Sequence, residues 1–77
     1  MDEKIYDILN RITDEQYTKN ELLSADYEKE EILDSLQIVQ LVVELESEFN
    51  IEIEDEDLSI DNLKSFDRIV SLITRLA

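Results

Sequence analysis

The chain has no cysteine, histidine, tryptophan, glycine or proline, and only seven lysines and arginines against 21 aspartates and glutamates in 77 residues, a formal net charge of −14. Without cysteine, neither a disulfide framework nor a thiolate zinc site can supplement so small a core, so apolar packing has to hold the fold. Without histidine or cysteine, Ser-His and Cys-His nucleophilic pairs are impossible, and a domain this short offers its carboxylates no predicted desolvated pocket to split their pKa values. An enzyme is not expected. The basic residues stand singly, whereas a phosphate backbone or an anionic membrane surface requires clustered cations, which sets nucleic acid and lipid headgroups aside. No segment approaches the roughly 20 apolar residues of a membrane span. The N-terminus runs straight into Asp2, Glu3 and Lys4 with no apolar signal region. A soluble, cytoplasmic, monomeric protein is expected.

What the sequence does have is an apolar fraction of 43%, which favours a compact acidic domain spanning residues 1–77 over a disordered tail. The charge is unevenly placed. From Glu30 to Leu63 there are twelve acids and no lysine or arginine, so one half of the molecule presents either a solvated acidic face or a surface for a cationic partner.

Ile5, Ile8, Leu9 and Ile12 recur at helical spacing and predict a helix from about Asp2 to Thr13. Between Asp14 and Leu33 the periodicity fades into a long connection, with a short turn of helix near Lys19 to Leu23 and apolar residues able to pin the loop across the helix ends. Asp34-Ser35 supplies a helix start, with Gln37 three residues after Asp34 as a reciprocal cap. The helix that follows, to about Asn50, is apolar on more than one side, from Leu36 to Phe49. Such a helix is either central or carries an exposed contact patch. Ile51 to Glu54 alternates like a strand but has no partner strand, so an extended connector burying Ile51 and Ile53 is expected. One or two helical turns fit Asp55 to Leu63, and Ser65 caps a last helix carrying Phe66, Ile69, Val70, Ile73 and Leu76. The fold class is all-α: a small four-helix bundle of three main helices and one short one, with a long first loop.

Two sites invite chemistry. Asp55, Asp57 and Ser59 alternate like calcium ligands, but Ile60 stands where the turn glycine of such a loop belongs and Phe66 where its bidentate glutamate belongs; no metal site is expected. Ser35 is the other. At a helix start a serine commonly caps the orphan amides, yet the same field would favour an anion carried on its oxygen.

Leu33-Asp34-Ser35-Leu36, followed by Val39, Leu41, Val42, Leu45, Glu46, Glu48, Phe49, Ile51, Glu52, Ile53 and Asp55-Glu56-Asp57, resembles the acyl carrier protein family and its Asp-Ser-Leu attachment motif. Asn62 to Phe66 with Ile69, Val70 and Ile73 is similar to that family's last helix. The resemblance implies that Ser35 carries 4′-phosphopantetheine, transferred from coenzyme A by a phosphopantetheinyl transferase with magnesium. The arm's thiol would hold acyl groups as thioesters for fatty-acid, polyketide or related biosynthesis. This would lend the chain a nucleophile that its composition lacks. Asp34 matches the family residue that helps position the transferase's metal, or it is only an N-cap. By position the family's recognition face falls on Leu36, Gln40, Val43, Glu46 and Ser47, facing basic patches on loading ligases or transferases and on downstream synthases. Core packing is the alternative for Leu36 and Val43.

The chain departs from the family at Leu33, where a small residue is frequent, at Gln40 and Ser47, where acids are, at Val43, where a methionine is, and at Glu54, where a proline is. Leu33-Asp34-Ser35 is closer to D-alanyl, aminoacyl or peptidyl carriers, which leaves the cargo open. Rivals of other classes are an acidic inhibitor or nucleic-acid mimic, which needs no Ser35, and an ion-binding module at Asp55 to Asp61.

Overall fold

Ile5, Ile8 and Leu9 are buried along one side of the first helix, and the rest of the chain wraps against that side. The computed structural model describes residues 2–77. Its elements are α1 (Asp2–Ile12), α2 (Lys19–Ser24), α3 (Ser35–Phe49), a 3-10 turn (Asp55–Asp57), α4 (Ile60–Leu63) and α5 (Phe66–Leu76). The three main helices and the short one after the acidic segment are those the sequence predicts, and α2 is the turn of helix expected near Lys19. α1 is central: α3, α2 and α5 all pack against it, α2 also touches α5, and α4 leans on α5.

With no glycine available, the turns adopt left-handed backbone on residues that carry a Cβ. Asp14 (φ 56°) and Glu15 (φ 58°) end α1, with the Glu15 N–H closing back on the Asn10 carbonyl at 2.9 Å, and Asn50 (φ 52°) ends α3. Glu31 (φ 53°) lies in the connection leading to α3. Such positions cost roughly 1–2 kcal/mol each for residues other than glycine and, to a lesser extent, asparagine or aspartate.

The long connection is tied down as expected. Leu22, Ala25, Tyr27, Ile32 and Leu33 all join the core. Tyr27 does most of the tying: its hydroxyl donates to the Leu22 carbonyl and its N–H to the Lys64 carbonyl, both at 2.5 Å, so the loop is stitched to α2 and to the α4–α5 junction. Burial pushes the Tyr27 phenol well above its ordinary value, with the Asp67 charge adding to the shift. Asp26 organises the turn beyond it: its carboxylate accepts the N–H groups of Lys29 at 2.9 Å and Glu28 at 3.0 Å, and chiefly the Lys29 bond holds its pKa below the ordinary carboxylate value. After α3, Ile53 is buried and Ile51 half-buried in an extended connector. Ser65 caps α5 by accepting the Arg68 N–H at 3.2 Å.

Candidate functional site

The start of α3 is built from both sides. Ile32 and Leu33 are buried just before it, so the chain enters the helix from an anchored stretch. Asp34 then takes extended backbone and its carboxylate accepts the Gln37 N–H at 2.8 Å, while the Gln37 side-chain oxygen accepts the Asp34 N–H at 2.9 Å. This is the reciprocal cap the sequence predicts. Gln37 does a second job that local pattern does not reveal: its amide nitrogen donates to the Ile12 carbonyl at 3.2 Å, fastening the beginning of α3 to the end of α1.

Because Asp34 is the cap, Ser35 is not. It is the first residue of α3 and is exposed, and among the described residues no hydrogen bond engages its hydroxyl. The capping alternative for this serine is thereby corrected. The charge pattern around it is also unusual for so acidic a chain: the first turns of α1 and α5 carry Asp2, Glu3 and Asp67, whereas the first turn of α3 carries no acid. The Asp34 carboxylate on the cap is the one acid at this end of the 15-residue helix, and the amides of the first turn that it does not engage remain open to a further anion on the Ser35 oxygen.

Leu36, Val39, Gln40, Val43 and Ser47 follow at i, i+3, i+4, i+7 and i+11 and share one exposed face of α3. Leu36 is 68% exposed and Val39 and Val43 are each 58% exposed, which excludes core packing for Leu36 and Val43. Val39 belongs to this face although the family pattern did not place it there; its spacing from Leu36 and Val43 was the available signal. Glu46 is different from the others. It is half-buried, and its carboxylate accepts the Ile53 N–H at 2.9 Å, holding the connector after α3. The remaining acids of α3 are also engaged, Glu44 by Arg11 and Glu48 by Lys4 at 3.6 Å. The centre of the face is therefore apolar and neutral, and the excess negative charge lies in the flanking segments.

An open groove of about 550 Å³ runs between the end of α1 and the first three turns of α3. Asp34 and Leu36, the two neighbours of Ser35, line it, and its lining continues along α3 to Val43 and Glu44. The acidic segment after α3 offers less. Asp57 is paired with Arg75 at 3.0 Å, and among the described residues no group of three or more carboxylates is placed to hold a metal ion.

One comparison with known proteins returns a relation. The profile of a protein family described as phosphopantetheine attachment site matches residues 3–73. No curated protein and no solved structure matches the chain.

Proposed function

Since the chain belongs to the phosphopantetheine attachment site family, whose members are carriers that interact with phosphopantetheinyl transferases and synthases and are not themselves enzymes, we propose that Ser35 is its attachment residue. The observation that carries this reading is the division of labour at the start of α3: Asp34 takes the capping role, which leaves the Ser35 hydroxyl exposed and unengaged among the described residues. The helix end favours a phosphodiester there, since the first turn beyond the Asp34 cap adds no further acid, and the Asp34 carboxylate is itself held on the Gln37 N–H.

In the transfer, the Ser35 oxygen attacks the pantetheine-bearing phosphorus of coenzyme A. A P–O bond to serine forms, the pyrophosphate bond breaks, 3′,5′-ADP leaves, and the hydroxyl proton passes to the transferase. Asp34 Oδ1 stays on the Gln37 amide, while Oδ2, with no hydrogen bond among the described residues, is available to a magnesium ion held by the transferase. When attached, the group supplies a thiol on which an acyl cargo rides as a thioester. Leu36, Val39 and Val43 give partner enzymes an apolar contact flanked by Gln40 and Ser47, and the acids on either side steer basic patches toward it. Aminoacyl or D-alanyl cargo is the second reading, favoured by Leu33 ahead of Asp34 and by the neutral Gln40 and Ser47.

Incubation with coenzyme A, magnesium and a broad-specificity phosphopantetheinyl transferase, followed by intact mass measurement, tests the proposal. One phosphopantetheine is expected on the wild type and none on Ser35→Ala. That variant keeps the fold, since the lost hydroxyl has no partner among the described residues and alanine favours helix. No gain in the wild type, or an equal gain in the variant, overturns the assignment.

A further inference from the structure

We propose that in the loaded protein, before a partner enzyme displaces it, the pantetheine arm lies in the groove between the end of α1 and α3, over Leu36, Val39 and Val43, with Gln40 hydrogen-bonded to one of its amides. This inference rests on the reading of Ser35 as the attachment residue.

The groove begins where the arm would begin. Asp34 and Leu36 flank Ser35 and line it, so the groove opens within one residue of the attachment position on either side. From Asp34 to Glu44 the lining covers about 15 Å of helix at 1.5 Å per residue, a length an extended pantetheine chain can follow.

The chemistry of the lining matches that chain. Beyond its phosphate, pantetheine is uncharged: a geminal dimethyl carbon with a hydroxyl beside it, then two amides separated by methylenes. Ile12, Leu36, Val39 and Val43 supply apolar wall to the groove for the dimethyl carbon and the methylenes. Gln40 supplies an amide that can both donate and accept, as an amide partner requires, and among the described residues it has no hydrogen bond of its own. Gln37, by contrast, has its oxygen on Asp34 and its nitrogen on Ile12, so it forms wall and is not the polar contact. The Arg11–Glu44 pair closes the charges at the far part of the lining against each other, Asp14 and Asp34 are the other charged lining residues, and the α3 positions between Asp34 and Glu44 that line the groove are all uncharged. A carboxylate in place of Gln40 could only accept.

The test uses the intact protein, loaded enzymatically and verified by mass to carry one phosphopantetheine, with the arm unlabelled and the protein labelled with carbon-13 and nitrogen-15. Isotope-filtered NOE spectra should connect the arm's geminal methyls to methyls of Leu36, Val39 or Val43, and the Gln40 side-chain amide should shift between unloaded and loaded forms. Val39→Asp, at an exposed position, should lose the methyl contacts while its backbone spectrum stays folded. Gln40→Glu should lose the amide shift and weaken the methyl contacts at least twofold. Spectral changes confined to Ser35 and its immediate neighbours, contacts to α4 and α5 in place of α3, or undiminished contacts in Val39→Asp would overturn the groove assignment while leaving Ser35 as the attachment residue. Failure to load Ser35 at all would overturn both.

Discussion

α3 and α5 both carry apolar residues at helical spacing and use them in opposite ways. α5 buries Phe66, Ile69, Leu72 and Ile73 on one side and leaves Asp67, Arg68, Ser71 and Arg75 exposed on the other. α3 buries Leu41 and Leu45, half-buries Ile38, Val42 and Phe49, and still leaves Leu36, Val39 and Val43 in solvent. One buried stripe is sufficient to fasten a helix to this core, as α5 demonstrates. The second stripe on α3 is mostly in solvent and exposes an apolar strip beside Ser35, which is the mark of a surface meant to be covered by something else.

The comparison can be broken by substitution. Ile69→Ala, at a fully buried position of α5, should cost about 2–5 kcal/mol by urea denaturation followed by circular dichroism, a large share of what holds a domain of this size. Tyr27→Phe, on the loop that Lys64 ties to the α5 side, should cost about 1 kcal/mol and change the alkaline limb of stability. Folding raises the Tyr27 pKa, so its contribution is fully present below the ordinary phenol value near 10 and is lost as pH climbs from there toward the folded value. In the phenylalanine variant that part of the alkaline loss should vanish; an unchanged alkaline limb would show that Tyr27 is not its source.

Smaller effects are expected nearer α3. Glu31→Gly removes a Cβ from left-handed backbone in the approach to α3 and should stabilise by up to about 1 kcal/mol, net of the entropy glycine adds to the unfolded chain. A loss in place of a gain would mean that the Glu31 side chain holds the turn. Val43→Ser should move stability by less than about 0.5 kcal/mol, as a solvent-facing change does, while lowering kcat/KM of a loading enzyme about tenfold, the size of an interface contact. If Val43→Ser and Ile69→Ala were equally destabilising, the contrast between the two helices would collapse.

Much of this was legible from the residues. The caps at Asp34 and Ser65, the stripes of α1 and α5 and the pinned first loop follow from local chemistry, and the structure repeats them. α3 is where sequence reasoning divided. Leu36, Val39 and Val43 satisfy the same spacing rule as Leu41 and Leu45, and periodicity cannot say which of two apolar faces meets the core. That depends on where α1 lies. The partners of Glu44, Glu46 and Glu48 were hidden for the same reason, since Arg11, Ile53 and Lys4 reach them only after folding. Glu46, expected on the recognition face, turned out to hold the backbone of the following connector. Reversing its charge to probe partner steering would therefore disturb the fold as well.

Gln37 has a consequence for motion. The first turn of a helix ordinarily frays by itself, at little cost to the rest of the molecule. Here one amide side chain closes both the beginning of α3 and the end of α1, so loosening either end on its own costs the other about 1 kcal/mol. Unwinding the residues around Ser35 releases the Ile12 carbonyl, and drawing α1 away from α3 frees the Gln37 side chain that closes the Asp34 N–H, although the Asp34 carboxylate keeps the Gln37 N–H. The most exposed point of the site is thus coupled to a contact between two main helices, and amide hydrogen exchange at the start of α3 should speed up several-fold in Gln37→Ala together with that at the end of α1.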